Sequence, residues 1–277
     1  MGAIAAARAF PSDVARGPEP LYADIADAIR SLLTASTVAI GVAIGGPLDA
    51  KRGIVLDAPH LPFRSFPLLE RLRGDFAFPI RVHHDAAACA MAEWLWGEAR
   101  GVAGLAYLTC GTGFGVGLVL DGRVRYGSSG HSPEIGHVRY RASGPDIFGK
   151  PGCFEGFASA KSLALLAREY DPDDLGAASP ASIAERARAG ETNAMAVLRE
   201  NQHAVGAACA MLADLLALDA IVLGSLSRYL GEAWLAGVRE TFEREVLPAH
   251  IDTCRLLPAM ERVQDRSGLA AARDAVA

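Results

Sequence analysis

"LAYLTCGTGFGVGLVLDGRVRYG", residues 105–127, alternates β-branched and apolar runs with glycine clusters. It reads as strand, glycine loop, strand, Asp-Gly turn, strand. The loop "GTGFGVG" (111–117) is not a dinucleotide fingerprint, because a strand follows it where a helix is required. It also lacks the Lys-Ser/Thr of a Walker loop. What remains is a hairpin whose backbone N–H groups can converge on an anion, with the Thr109 and Thr112 hydroxyls beside them. The alternative is a glycine-kinked hairpin packed under a helix.

Upstream, "FPIRVHH" (78–84) reads as a strand and "DAAACAMAEWLWGEA" (85–99) as an alanine-rich helix. Asp85 stands at their junction. An aspartate there is a favoured helix N-cap, and it is also a candidate general base at the carboxyl end of a strand. Downstream, "GHSPEIGHVRY" (130–140) places Glu134 between Gly130 and Gly136, with His137 directly after. A metal, a catalytic pair, a polyol clamp and a satisfied polar turn all fit it. Zinc wants three or four ligands, and "GPDIFGKPGCFEG" (144–156) adds only one thiol, Cys153. Glu155 in that loop, taken alone, reads as solvated.

Further out, "LYADIADAIRSLL" (21–33) has helical spacing and "TVAIGVAIGG" (37–46) is a buried-strand candidate. Gly101 and Gly104 bracket a lobe boundary. The division expected is 1–101 and 102–264, with the helical tail 265–277 packing back on the first lobe. "DAIVLG" (219–224) reads as a short buried strand and "RYLGEAWLAGVRETFERE" (228–245) as one helix.

The 277 residues are half hydrophobic, with 7% aromatic and 29 glycines, the profile of a close-packed α/β protein. A net charge of −5 and the lack of a basic run argue against a nucleic-acid partner. Five scattered cysteines with no CxxC pair suit free thiols in a reducing cytoplasm. "MGAIAAARAF" lacks the basic start of a signal peptide, and Ala6 breaks the myristoylation pattern. No uninterrupted apolar run is long enough to span a membrane.

In order, "HHDAAACAMAE", "LTCGTGFGVGLVLDG", "SPEIGHV", "GKPGCFEGFAS" and "IVLGSLS" resemble the ROK family of bacterial sugar kinases and transcriptional repressors. The likeness runs from about Ile40 to the C-terminus. It implies a two-lobed α/β fold of the actin/hexokinase-like (ribonuclease H-like) class, with sugar and Mg–ATP in the cleft. Carried onto this chain, it makes Asp85 the base toward a sugar hydroxyl. His84, Glu134, His137, Glu155 and Gly46 would hold the sugar, Gly46 within the "GGPLD" segment. Gly111, Thr112, Gly113 and Gly115 would face the ATP phosphates, and Gly224 and Ser225 the adenosine. The implied cofactors are ATP and Mg2+, and the implied assembly is a homodimer.

The chain departs from the family pattern in five places. No "DxGGT" phosphate loop opens it, and "GAIAAARAFP" resembles the third strand of the first lobe. That lobe would therefore be truncated by about two strands. Such a loss would leave a bare sheet edge, which favours a start further upstream over a lost ATP site. Where many members carry a zinc-binding "CxCGxxGC" cluster, this chain reads "DIFGKPGC", so no structural zinc is expected. His84 replaces an asparagine and Pro133 a glycine near the sugar pocket, while Ser225 replaces a glycine. A non-catalytic sugar-binding protein is the alternative function. A repressor is weaker, because nothing before Ile40 has room for a helix-turn-helix plus the kinase lobe.

Overall fold

The computed structural model describes residues 2–58 and 60–277. The first lobe opens with α1 (Pro18–Leu32), whose proline near the N-terminus suits a first helical turn. Strand β1 (Ile40–Ile44) is followed by the antiparallel β2 (Leu48–Asp49), β3 (Ile54–Asp57) and β4 (Arg64–Phe66). After α2 (Leu68–Asp75), β5 (Ile80–His84) pairs in parallel with β1, His84 opposite Ile44. Leu21, Tyr22, Ile44, Val55, Phe63, Leu72 and Val82 form one apolar core.

Helix α3 (Asp85–Trp96) leads into the second lobe. Its hairpin is β6 (Gly104–Cys110) and β7 (Phe114–Leu120), with Cys110 opposite Phe114 and a turn of Gly111, Thr112 and Gly113. Next come the short β8 (Arg123–Val124) and the small hairpin β9 (Asp146–Ile147) and β10 (Lys150–Pro151). A helical layer follows: α4 (Glu155–Ala158), α5 (Ala160–Tyr170), α6 (Pro180–Arg188) and α7 (Thr192–Leu216). Strand β11 (Ala220–Leu223), α8 (Ser225–Leu230), α9 (Glu232–Glu245), α10 (Pro248–Ile251), β12 (Arg255–Pro258) and α11 (Val263–Asp274) complete the chain.

The second sheet has the order β12-β11-β6-β7-β8. Both faces are covered, so its strands are apolar on both sides. Leu105, Tyr107 and Val222 face α3 and α11, whereas Leu108, Val116 and Ile221 face α5, α7 and α9. The alanines of α3 let it lie close to the sheet, and Gly117 makes the approach closest. A Cβ there would stand 2.1 Å from the Ala86 carbonyl oxygen. Helix α11 crosses β1 in the same way, over Gly41.

Three expectations change. "GAIAAARAFP" forms no strand, since its exposed alanines have little to gain from pleating. The "RYLGEAWLAGVRETFERE" helix is two helices, broken at Gly231, whose φ of 76° an α-helix cannot accept. Strand β1 is only partly buried, because β5 pairs with one edge alone. Its other edge faces a cavity of about 580 Å³ lined by Gly41–Gly45 and by Leu21, Ile25 and Ile29 of α1. All five cysteines are buried free thiols.

Candidate functional site

Strand β5 and helix α3 meet at a corner, and the corner sets Asp85. The helix begins at Asp85 with His84 as its N-cap, one residue earlier than a capping aspartate would give. Asp85 Oδ1 accepts a hydrogen bond from the Ala86 amide at 2.6 Å. The side chain is 54% exposed. His84 Nδ1 lies 3.2 Å from Asp85 Oδ1 but off the line of a hydrogen bond, and it is buried without another partner. The His84 ring covers Gly46, where a Cβ would stand 2.7 Å from Cδ2.

Glu134 enters from the second lobe, at the head of the short 3-10 turn Ile135–His137. Desolvation raises its carboxyl pKa above the ordinary value, and so do the charges of Asp85 and Glu155; His84 and His137 pull it down. The Glu134 carboxyl therefore senses Asp85, although 49 residues separate the two in the chain. The His137 ring stacks on Phe148, with centroids 4.1 Å apart. Phe148 stands where the family's zinc cluster has a cysteine, so packing orients this ring.

Glu155 is half-buried, not the solvated side chain it resembles in isolation. Its Oε2 accepts from the Phe114 amide at 3.0 Å. Cβ atoms placed on Gly113 and Gly136 would lie 3.1 and 3.4 Å from that oxygen. Glu155 therefore joins the glycine turn to the Glu134–His137 segment. The turn itself is held by Gly111, whose carbonyl accepts from Ala160 N at 2.8 Å. Ser225 Oγ is 3.6 Å from where a Gly111 Cβ would be. Gly224 packs under the Tyr107 hydroxyl, 2.7 Å from a Cβ built on it. Gly115 lies inside β7 opposite Thr109, outside the turn.

The structure thus joins Gly46, His84 and Asp85 at the β5–α3 corner, ties Glu155 to the glycine turn and to Gly136 between Glu134 and His137, and sets Ser225 near Gly111. Sequence reasoning missed two features. A cavity of about 370 Å³ beside Ser225 is lined by Arg228, Met260 and Arg262, isolated residues that no motif marks. His83, Tyr126 and Asp274 form a buried polar chain behind Asp85. The one available signal was strand alternation, which turns His83 away from the face His84 occupies.

Two α/β lobes and a glycine hairpin tied to the Glu155 carboxylate define an actin/hexokinase-like protein. The ROK family profile matches residues 3–273. A glucokinase of Halalkalibacterium halodurans is 29% identical over 262 residues, 88% of this chain and 79% of the relative. A xylose repressor of Caldicellulosiruptor bescii is 25% identical over 240 residues, 82% of this chain and 59% of the repressor. A ROK family glucokinase from Streptomyces griseus, solved with glucose and AMPPNP, matches with a TM-score of 0.77 and 27% identity, covering 93% of this chain and 89% of that one. The chain belongs to the ROK family.

Proposed function

We propose that the protein is a sugar kinase, moving the γ-phosphoryl group of Mg–ATP to a hydroxyl of a hexose or N-acetylhexosamine. The observation that carries this is the 3.0 Å hydrogen bond from the Phe114 amide to Glu155 Oε2, which ties the glycine turn to a carboxylate that also lies against Gly136, between Glu134 and His137. A polyol offers hydroxyls that satisfy all of these groups, each being donor and acceptor at once.

In this reading Glu134, His137, Glu155 and His84 fix the sugar, and Gly46 leaves room for the His84 ring. Phosphoryl transfer asks chiefly for positioning and charge stabilisation. The sugar oxygen forms the new P–O bond, the bond to the ADP oxygen breaks, and Asp85 takes the hydroxyl proton. Gly111, Thr112 and Gly113 line the phosphate side, with Gly115 on the strand behind, and Gly224 and Ser225 lie toward the adenosine. Mg2+ arrives as part of the ATP substrate.

The phosphate loop "DxGGT" has no counterpart in these 277 residues. The likeness to a xylose repressor favours a second reading, a sugar-binding protein without turnover. ADP release with Mg–ATP and a panel of hexoses and N-acetylhexosamines separates the two, run on this chain and on an upstream-extended one. Turnover with one sugar, abolished in Asp85→Asn, supports the kinase. Calorimetric sugar binding with no ADP from either chain supports the second reading. A cytoplasmic location and a homodimer belong to the same proposal, and sedimentation tests the dimer.

A further inference from the structure

Three consecutive residues at the junction of β5 and α3 have different surroundings. Asp85 is exposed, His84 is half-buried against Gly46, and His83 is 3% exposed. Both His83 nitrogens are engaged. Nε2 lies 3.0 Å from Asp274 Oδ2 near the end of α11, and Nδ1 lies 2.9 Å from the Tyr126 hydroxyl just after β8. That hydroxyl also accepts from the His84 amide at 3.2 Å. The rings of His83 and Tyr126 stack, with centroids 5.8 Å apart.

The partners assign the protons. An ionised carboxylate only accepts, so His83 Nε2 carries the hydrogen and donates to Asp274. In the neutral ring Nδ1 is then the acceptor, and the Tyr126 O–H donates to it. The result is a directional chain: His84 N–H to Tyr126, Tyr126 O–H to His83, His83 N–H to Asp274. Arg81, whose Nε is 2.9 Å from Asp274 Oδ2, keeps that carboxylate charged. Three elements distant in sequence meet here, and the chain ends on the amide one residue before Asp85.

Among the described residues, the Asp85 side chain makes one hydrogen bond, accepting from the adjacent Ala86 amide. The aim of its carboxylate is therefore inherited from the backbone at the corner. We propose that His83 is a positioning residue, and that the Asp274–His83–Tyr126 chain fixes the β5–α3 corner so that Asp85 points at the sugar hydroxyl. This rests on the reading of Asp85 as the base. A displacement of about 1 Å at a reacting group can cost on the order of a hundredfold in rate.

The test combines kinetics with NMR on Tyr126→Phe, His83→Gln and Asp274→Asn. All three should keep the wild-type circular dichroism spectrum. Where the protein turns over, kcat falls about ten- to a hundredfold while the sugar KM and calorimetric Kd stay within about twofold. Tyr126→Phe combined with Asp85→Asn falls no further than Asp85→Asn alone. In the wild type, 15N shifts show His83 as the Nε2–H tautomer. In Tyr126→Phe the Ala86 amide resonance, which reports the Asp85 hydrogen bond, moves, and this readout needs no turnover. An unchanged Ala86 resonance, or an Nδ1–H tautomer for His83, overturns the proposal. So does an unchanged kcat in Tyr126→Phe when Asp85→Asn is inactive. An unchanged kcat in Asp85→Asn instead overturns the assignment of Asp85 as the base.

Discussion

The His137 ring lies flat on the Phe148 ring, 4.1 Å between centroids and 15° between planes. Phe148 holds this place at φ 61°, and Gly149 follows at φ 68°. Two positive-φ residues closing the β9–β10 hairpin are the pattern of a type I′ turn, which prefers Asn-Gly. A bulky aromatic is costly there, so the stack has to offset backbone strain. Phe148→Asn should relieve the strain and free the imidazole together. We expect Tm to hold or rise slightly, while the sugar Kd weakens by roughly three- to tenfold. A calorimetric titration beside a thermal melt checks both. An unchanged Kd would mean that His137 needs no help from Phe148.

Glu155 binds two parts of the site at once, and its variants should separate them. Glu155→Gln keeps an oxygen for the Phe114 amide and loses the charge toward the sugar. Glu155→Ala strands that amide and leaves the glycine turn without its tie. A hydrogen bond to a charged group contributes about 1.5–3 kcal/mol. Glu155→Ala should therefore weaken both sugar and nucleotide by about tenfold or more, and Glu155→Gln chiefly the sugar. Separate calorimetric titrations read this, and an unaltered nucleotide Kd in Glu155→Ala would sever the link.

The closest helix–sheet crossing in the second lobe supports Asp85 from behind. A methyl at Gly117 would stand 2.1 Å from the Ala86 carbonyl oxygen, so α3 must lift at its first turn. Gly117→Ala should cost about 1–3 kcal/mol and reduce turnover well beyond that loss. Gly74 in α2 is the control, since a Cβ there meets nothing within 4 Å. Gly74→Ala should be neutral or stabilising by up to about 1 kcal/mol, with turnover unchanged. Thermal melts and ADP release on the two variants make the comparison.

Much of this was legible in the chain because it depends on near neighbours. The hairpin of β6 and β7 follows from apolar runs around glycines, and α3 from a block of alanines with helical preference. Asp85, Glu134 and His137 stood out because glycines and element ends mark them. Glu155 did not reveal its bond to Phe114, 41 residues away. Asp274 lies 191 residues from His83, beyond anything periodicity can sense. Of the pair His83 and His84, only the outward one drew notice, although alternation alone makes the other a buried imidazole in need of partners. The Gly231 break was hidden because a glycine inside an amphipathic run looks tolerable until its φ is known.

Glu93 gives the molecule a pH dependence that does not involve catalysis. It is 1% exposed on α3, and its Oε1 accepts from the Met260 amide at 2.7 Å. Burial pushes its carboxyl pKa up to about 7; the Met260 amide, Arg228 and Arg266 only partly oppose this, and Glu98 adds to it. Between the ordinary carboxylate range and about pH 7, the folded protein holds a proton that the unfolded chain has released. Stability therefore falls as pH rises through that window and levels off above it. Glu93→Gln keeps an acceptor for Met260 and cannot ionise. Its stability advantage over the wild type should widen by about 2 kcal/mol between pH 5 and pH 8. Urea unfolding of both chains at the two pH values measures this. A gap that stays constant would mean that Glu93 ionises in the folded protein much as it does in water.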